Sequence, residues 1–403
     1  MRTSTATGAR HAAHLRGLNL ERALLVAMDR QGPFSRAELI RETALSAPTV
    51  GSLTADLIRR GLFRDLGTGP SRGGRRPSFM EFNDRYGFVA GVHIESSRFT
   101  LAVADLRGEI IARHRVDPTS DRRPHVLLPQ VAAELRALLR LARVPVRRLL
   151  AVGAGVPGAV DPGHGGGLAL APNLKGWSQV PVAAILGKAL GAPVLVENDV
   201  NLAILGERSR GVAKGHDTCA FITVGTGIGA GIVVKGELHH GHHFQAGEIA
   251  LMCMGPQFVG TDFGAKGCLE TLVGLQALEA RWSKHASPTR DADARMRELV
   301  QSAKAGDRRA LAILDDATTL IGIAAANLNL TLDPSLIVLG GALIAQAPHL
   351  IDDIRRIVGR IVLTPSGIME STLGEEAPLW GSVLHAVTEA RHRLRTELRN
   401  DGS

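Results

Sequence analysis

The chain is poor in aromatic residues, 3% with a single tyrosine, and in cysteine, with three among 403 residues. So few aromatics leave little on which unpaired bases could stack, which argues against a reader of single-stranded nucleic acid. Cys219, Cys253 and Cys268 are odd in number and widely spaced, and predict reduced thiols instead of a disulfide framework. The opening MRTSTATGARHAAHLRG holds no apolar core of the kind a secretory leader needs, so a cytoplasmic location is expected. The uncharged run from Thr218 to Val234 falls just short of a membrane span, and its four glycines predict two buried strands around a turn. With 45% apolar and 21% charged residues, the remainder is ordinary globular composition, enough for about two to four domains.

Lysine is missing from the first 80 residues, which carry thirteen arginines against six acids and so +7 of the chain's net +8. A basic segment on a nearly neutral body is the electrostatic footprint of an attached nucleic-acid-binding module. The local pattern agrees. Residues 1–17 read as a flexible polar tail, and from Asn19 the spacing of Leu20, Leu24, Leu25 and Met28 gives one apolar helical face ended by Gly32-Pro33. Ser35 with Glu38 three residues on predicts a capping box, and Ser46 with Pro48 in the first turn predicts a third helix with Val50, Leu53, Leu57 and Ile58 inward. Leu62 to Leu66 and Ser78 to Phe82 then pair around the loop GTGPSRGGRRP. The pattern from residue 18 to 83 is that of a winged helix-turn-helix. Its third helix is expected to offer Ser46, Ala47, Thr49, Gly51, Ser52 and Asp56 to the major groove, and its wing Arg72, Arg75 and Arg76 to phosphate or the minor groove.

From Tyr86 the pattern turns to strands: Phe88 to Ile94, Arg98 to Asp105 and Gly108 to Val116 as a meander, a helix near Pro124 to Ala142, then Leu149 to Val156. In VENDVNLAILGE, Val196 to Glu207, a β-branched run becomes a small-residue helix, so Asn198 and Asp199 fall at a strand-to-helix junction. Carboxyl ends of strands face the ligand crevice in an open α/β sheet, where an amide beside a carboxylate can hold neighbouring hydroxyls. Taken alone, the pair also reads as a helix cap. Ala220 to Val234 is a Gly-rich hairpin, residues 271–313 and 316–332 carry helical periodicity, Leu336 to Leu343 reads as a strand and turn, and Trp380 to Leu398 as a closing amphipathic helix.

VENDVNLAILGE, Ala246-Gly247-Glu248-Ile249 and Gly267-Cys268-Leu269-Glu270-Thr271, in that order, resemble the sugar-binding signature of the ROK family of repressors, open reading frames and sugar kinases, over about Leu18 to Leu394. The resemblance implies an α/β fold in which two actin-like lobes, residues 84–204 with 380–398 and residues 205–379, flank a cleft behind the winged helix-turn-helix. It implies Asn198, Asp199, Glu248 and Glu270 as hydroxyl ligands of a hexose-like ring, with Gly158 and Asn173 as lesser contacts. Family kinases also carry a first phosphate loop, DxGGTK. Here His93, Ile94, Glu95, Ser96, Ser97 and Arg98 stand in its place, so a histidine replaces the acid and a glutamate the first glycine. A carboxylate there adds bulk and like charge where backbone N–H groups should close on phosphate, so ATP is not expected as a cofactor. Of the family's structural zinc ligands only Cys268 remains, with Leu251, Thr261 and Phe263 at three others, and one thiolate cannot hold zinc. The nearby histidines 239, 240, 242 and 243 read as a surface loop. Together these readings predict a sugar-responsive repressor without catalysis, acting on double-stranded operator DNA as a homodimer, with the pairing of dimers left open. The alternative is an ATP-dependent sugar kinase with a DNA-binding appendage, in which Asp199 is the base.

Overall fold

The computed structural model describes the backbone of residues 3–68, 78–95, 98–117, 121–161, 167–170, 176–283 and 292–400. Its first part comprises helix α1 (Thr3–Asp29), strand β1 (Phe34–Ser35), helices α2 (Arg36–Thr43) and α3 (Ala47–Arg59), and strands β2 (Phe63–Thr68) and β3 (Ser78–Phe82). Ser35 and Glu38 form the expected reciprocal capping box, and the Ser46 side chain accepts from the Thr49 N–H at the start of α3. The strands pair in the order β1-β3-β2 around the wing. Leu20, Leu24, Met28, Leu39, Val50, Leu53 and Leu57 share one core, so the head is a winged helix-turn-helix.

Two expectations for the head are corrected. Residues 3–17, expected as a flexible tail, are the first turns of α1. Gly17 packs so tightly that a Cβ there would lie 2.5 Å from the Arg399 carbonyl oxygen, and Arg16 reaches α3. Asp56 is not offered to DNA but is 4% exposed, with Arg16, Arg59 and Arg60 at 3.0, 2.5 and 3.2 Å. Burial works to raise its pKa, but the hydrogen bonds from Arg59, Arg16 and Arg60 outweigh it and hold the carboxyl at about 2. A depressed carboxyl contributes stability that is intact above its unfolded value near 3.8 and lost as pH falls through about 2. Asp56→Ala is therefore expected to cost roughly 2 kcal/mol at pH 7 and much less at pH 2. Paired denaturant melts at the two pH values check it, and an equal cost at both would assign Asp56 a packing role alone.

The body holds two five-stranded sheets. The first is built from β4 (Phe88–Ile94), β5 (Phe99–Asp105), β6 (Ile110–Val116), then, after α4 (Pro124–Leu141), β7 (Leu149–Val156). A small hairpin, β8 (Ala159–Asp161) with β9 (Gly167–Leu170), and helix α5 (Val182–Leu190) precede β10 (Val194–Asn198). The order is β10-β7-β4-β5-β6, with β7 parallel to both β4 and β10. Helix α6 (Asp199–Arg210) leads to β11 (Cys219–Val224), β12 (Ile228–Val234) and β13 (Glu237–Leu238). The chain continues through α7 (Gly267–Val273), α8 (Leu275–Ser283), α9 (Ala292–Lys304), α10 (Arg308–Leu332), β14 (Leu336–Gly340), α11 (Ala342–Gln346), α12 (Leu350–Ile361), β15 (Gly367–Glu370) and α13 (Ala377–Asn400). These strands order as β13-β12-β11-β14-β15. The expected helical break near residue 314 lies instead at Asp307, whose side chain caps α10 from the N–H groups of Arg309 and Ala310. By length and composition α10 could cross a membrane, but 56% of its apolar window is buried and its face of Ile313, Leu314, Ala317 and Ile321 lies in the second core.

The lobes meet through α6 and α13. Each helix carries a glycine where the other's backbone arrives: a Cβ on Gly206 would lie 2.2 Å from the Ala377 carbonyl oxygen, and one on Gly381 1.9 Å from that of Leu202. Beside this crossing the fully buried Glu207 carboxylate accepts from Ser371 Oγ (2.5 Å), the Leu373 N–H (3.0 Å) and the Val212 N–H (2.9 Å). It joins α6 to the segment that follows β15 of the second sheet.

Candidate functional site

A cavity of about 320 Å³ lies between the sheets, and Asn198, Asp199, Glu248, Glu270 and Gly158 all line it. Asn198 closes β10 and caps α6, its Oδ1 accepting from the N–H groups of Val200 (2.8 Å) and Asn201 (3.1 Å). Its Nδ2 donates to the Gly158 carbonyl oxygen at 3.0 Å, so the cap and cleft readings hold together: the amide fixes the cleft's edge and keeps one N–H for a ligand. Glu248 follows Gly247, whose φ of +90° and whose absent Cβ, which would sit 1.8 Å from the Ala230 carbonyl oxygen, press this turn against β12. Glu270, in the first turn of α7, accepts the Ile228 N–H at 2.9 Å. Asn173 lies outside the described residues.

Three carboxyls in this cavity are held above their ordinary range. Burial pushes Asp199 up to about 7; the charges of Glu95 and Glu248 add to the rise, while backbone N–H groups of the α6 turn oppose it. Burial raises Glu248, with the Glu270 charge adding to it, and burial also raises Glu270. The cavity thus gathers three carboxyls whose oxygens can accept from hydroxyl groups.

The wall at the end of β4 is different. His93 is buried, its pKa pushed down by burial, with Nδ1 3.8 Å from Glu95 Oε1 and Nε2 4.0 Å from Asp199 Oδ2. Glu95 pairs with Arg98 at 2.5 Å, and Arg98 lies 3.7 Å from Glu375 in the segment joining β15 to α13. A carboxylate therefore occupies the turn where a phosphate cradle would need bare backbone; Ser96 and Ser97 lie outside the described residues. Across the cleft Thr223, Gly225, Thr226 and Gly227 of the β11–β12 turn and Gly340-Gly341 after β14 also line the cavity.

One pair escapes the sequence pattern. His240 does not belong to a mere surface loop: its Nε2 is 2.7 Å from Glu197 Oε2 inside the cavity wall, while Asn201 Nδ2 donates to Glu197 Oε1 at 2.9 Å. Burial opposes it, but these bonds hold the Glu197 carboxyl below its ordinary range, and the same contact raises His240. Glu197 and Asn201 stand in the VENDVNLAILGE stretch, which is a signal; a partner 43 residues away is not. The neighbouring rings of His242 and His243 meet edge to face, with centroids 4.5 Å apart. Cys268 is buried and Cys253 exposed, and no three His, Cys, Asp or Glu side chains converge as metal ligands among the described residues.

On the head, Ser46, Ala47 and Ser52 of α3 are exposed and Thr49 half-buried, its Oγ1 2.7 Å from Ser46 Oγ. Arg16 of α1 reaches Ser52 Oγ at 3.4 Å, which places a cation beside this face that α3 alone does not announce. Arg72, Arg75 and Arg76 lie outside the described residues.

Residues 89–388 match the ROK family. The chain is 26% identical over 367 residues to the xylose repressor of Bacillus spizizenii, covering 90% of this chain and 93% of that one. It is 28% identical over 310 residues to the glucokinase of Thermotoga maritima, covering 73% and 95%. Among solved structures, a ROK family transcriptional regulator described as a homologue of the E. coli MLC protein superposes with a TM-score of 0.74 at 21% identity, over 96% of this chain and 100% of that one. The repressor and the regulator each match nine tenths or more of this chain, the glucokinase about three quarters. By this match, the two-lobed actin-like body and the ordered signature in its cleft, the chain belongs to the ROK family.

Proposed function

We propose that the protein is a sugar-responsive transcriptional repressor: residues 18–83, with the α1 extension, read double-stranded operator DNA, and residues 84–204 with 380–398 and 205–379 form the lobes that sense a neutral sugar. The observation that carries this reading is the contrast inside one cavity. Asn198, Asp199, Glu248 and Glu270 converge on it, with Gly158 at its edge, while the Glu95–Arg98 pair stands where phosphate would be held. In this reading Ser46, Ala47, Thr49 and Ser52 face base edges and Arg72, Arg75 and Arg76 the backbone. Two heads in a homodimer match two half-sites, and cytoplasmic DNA is the partner. Closure of the lobes around sugar would reset the spacing of the heads, and release needs only about 1–3 kcal/mol of differential affinity.

The test is gel retardation of the gene's own upstream DNA by the full chain, with and without a panel of neutral sugars. Retardation relieved by at least one sugar is expected, and no retardation of any such fragment removes the reading. The second reading, a sugar kinase with a DNA-binding head, is favoured by the Thr223 to Gly227 turn in the cavity and by an Asp199 pKa of about 7, suited to a general base. Sugar-dependent ADP release that Asp199→Asn abolishes would establish it; none is expected.

A further inference from the structure

A second crevice, of about 590 Å³, lies where the head meets the body, away from the sugar cleft. The head contributes Asp29, Gln31 and Gly32 at the end of α1; the first sheet contributes Arg107 and Glu109 from the β5–β6 turn, with Arg391 from α13; the end of α6 and the turn beyond it contribute Arg210 and Lys214. Four cations face two carboxylates there. Arg210 is paired with Glu109 and lies over the Trp380 ring at 5.4 Å. Arg107 donates to the Arg30 carbonyl oxygen at 3.0 Å and lies 3.8 Å from Asp84. Arg391 donates through Nε to the Leu106 carbonyl oxygen at 3.0 Å, which fixes its plane, and forms no ion pair among the described residues. The exposed Lys214 has no ion pair among them either.

We infer that this crevice binds a small phosphate-type anion through Arg107, Arg210, Lys214 and Arg391, with the Gln31 amide of the head as a further donor. A half-buried guanidinium with a fixed plane and uncommitted N–H groups is pre-organised for the paired oxygens of a phosphate. Burial pulls the Arg391 pKa down from its ordinary value, the charges of Asp29 and Asp105 oppose it, and Arg107 pulls with it. The crevice volume suits a metabolite-sized ligand. DNA is the less fitting source of phosphate. In the sheet Phe34 pairs with Met80 and Ser35 with Phe79, so Gly32 lies toward the Phe82 end of β3 and the wing at the other. An anion held here would tie head to body independently of sugar.

Calorimetric titration of pyrophosphate and of inorganic phosphate into the full chain, at ionic strength matched with chloride, tests the site. Saturable binding of about one anion per chain is expected, weakened about tenfold or more by Lys214→Ala and by Arg391→Lys, which keeps the charge but loses the fork. Asp199→Asn in the sugar cleft should leave it unchanged, so failure here and failure of the sugar reading are separable. No saturable heat, or binding in both crevice variants equal to that of the wild type, would overturn the site. So would a Lys214→Ala protein that loses DNA affinity and salt dependence without any anion present, because that lysine would then be contacting DNA.

Discussion

Asp199→Asn is expected to raise the melting temperature of the sugar-free protein at pH 8 and to weaken its response to sugar. Burial, then the charges of Glu95 and Glu248, lift the Asp199 pKa from an ordinary 3.8 to about 7. A carboxyl raised on folding holds its proton more tightly in the folded chain. Its contribution to stability is therefore complete below about pH 4 and is lost as pH climbs through about 7. At pH 8 ionising it costs at most about 4 kcal/mol, which an amide of the same shape does not incur. A chain of this size should gain several degrees at pH 8, with wild type and variant converging only below about pH 4. The same change removes a charged acceptor of sugar hydroxyls, worth about 1.5–3 kcal/mol, so sugar affinity should fall by roughly 10- to 100-fold. In the wild type, affinity should rise between pH 6 and 8 as the carboxylate forms. Thermal melts and calorimetry across that range read both effects; a variant no more stable than wild type at pH 8 would show that the cleft carries no electrostatic strain.

Under the proposed function, relief of that strain is what would couple ligand to closure. Glu248 and Glu270 are raised for the same first reason, burial, so the cavity gathers three carboxyls held above their ordinary range. Hydroxyl groups supply the donors only where both lobes present acceptors: Asp199 starts α6 beside the first sheet, whereas Glu248 and Glu270 belong to the second. A ligand that satisfies both sides favours closure, and the buried Glu207 beside Ser371 and Leu373 is where the closure would turn. A site kept unfavourable when empty is a stability cost retained for function.

Local chemistry is legible in the amino-acid order; long-range pairing is not. Ser35 with Glu38, Ser46 with Pro48, and the β-branched run ahead of Asn198 each satisfy backbone groups within a few residues, so spacing alone locates them. Helix α12 carries the same kind of signal in Leu350, Ile351, Ile354 and Val358, all buried, although the expectations omit it. Asp56 occupies a position on α3 that faces outward until Arg16, forty residues earlier, covers it, and that in turn requires α1 to begin far before Asn19. His240 sits in a run of histidines without a period, and only Glu197 distinguishes it from its neighbours. The Glu95–Arg98–Glu375 cluster forms only with the last segment of the chain in place. In each case the decisive partner is distant in sequence and is a charge, for which no local pattern selects.

Replacing Arg72, Arg75 and Arg76 together by Ala is expected to weaken binding to all duplex DNA by on the order of a hundredfold near 0.1 M salt and to flatten its salt dependence, the slope of log K falling by about 0.9 for each phosphate no longer neutralised. Charge alone sets the size of this effect. Residues 1–80 carry +7, the three arginines supply a large share of it, and inside the fold Arg16, Arg59 and Arg60 are already spent on Asp56. A contact of these arginines with phosphate carries no sequence information, so their removal should act on every sequence alike. Ser52→Ala on the exposed face of α3 should behave oppositely, changing preference among operators while leaving the salt slope intact, because a hydroxyl reads base edges and neutralises no phosphate. Filter-binding isotherms from about 50 to 300 mM salt, on operator and on unrelated duplex, separate the two. If the triple variant keeps the wild-type slope, the head's charge does not meet DNA through its wing, and Arg16, which lies beside Ser52 of α3, becomes the residue to remove next.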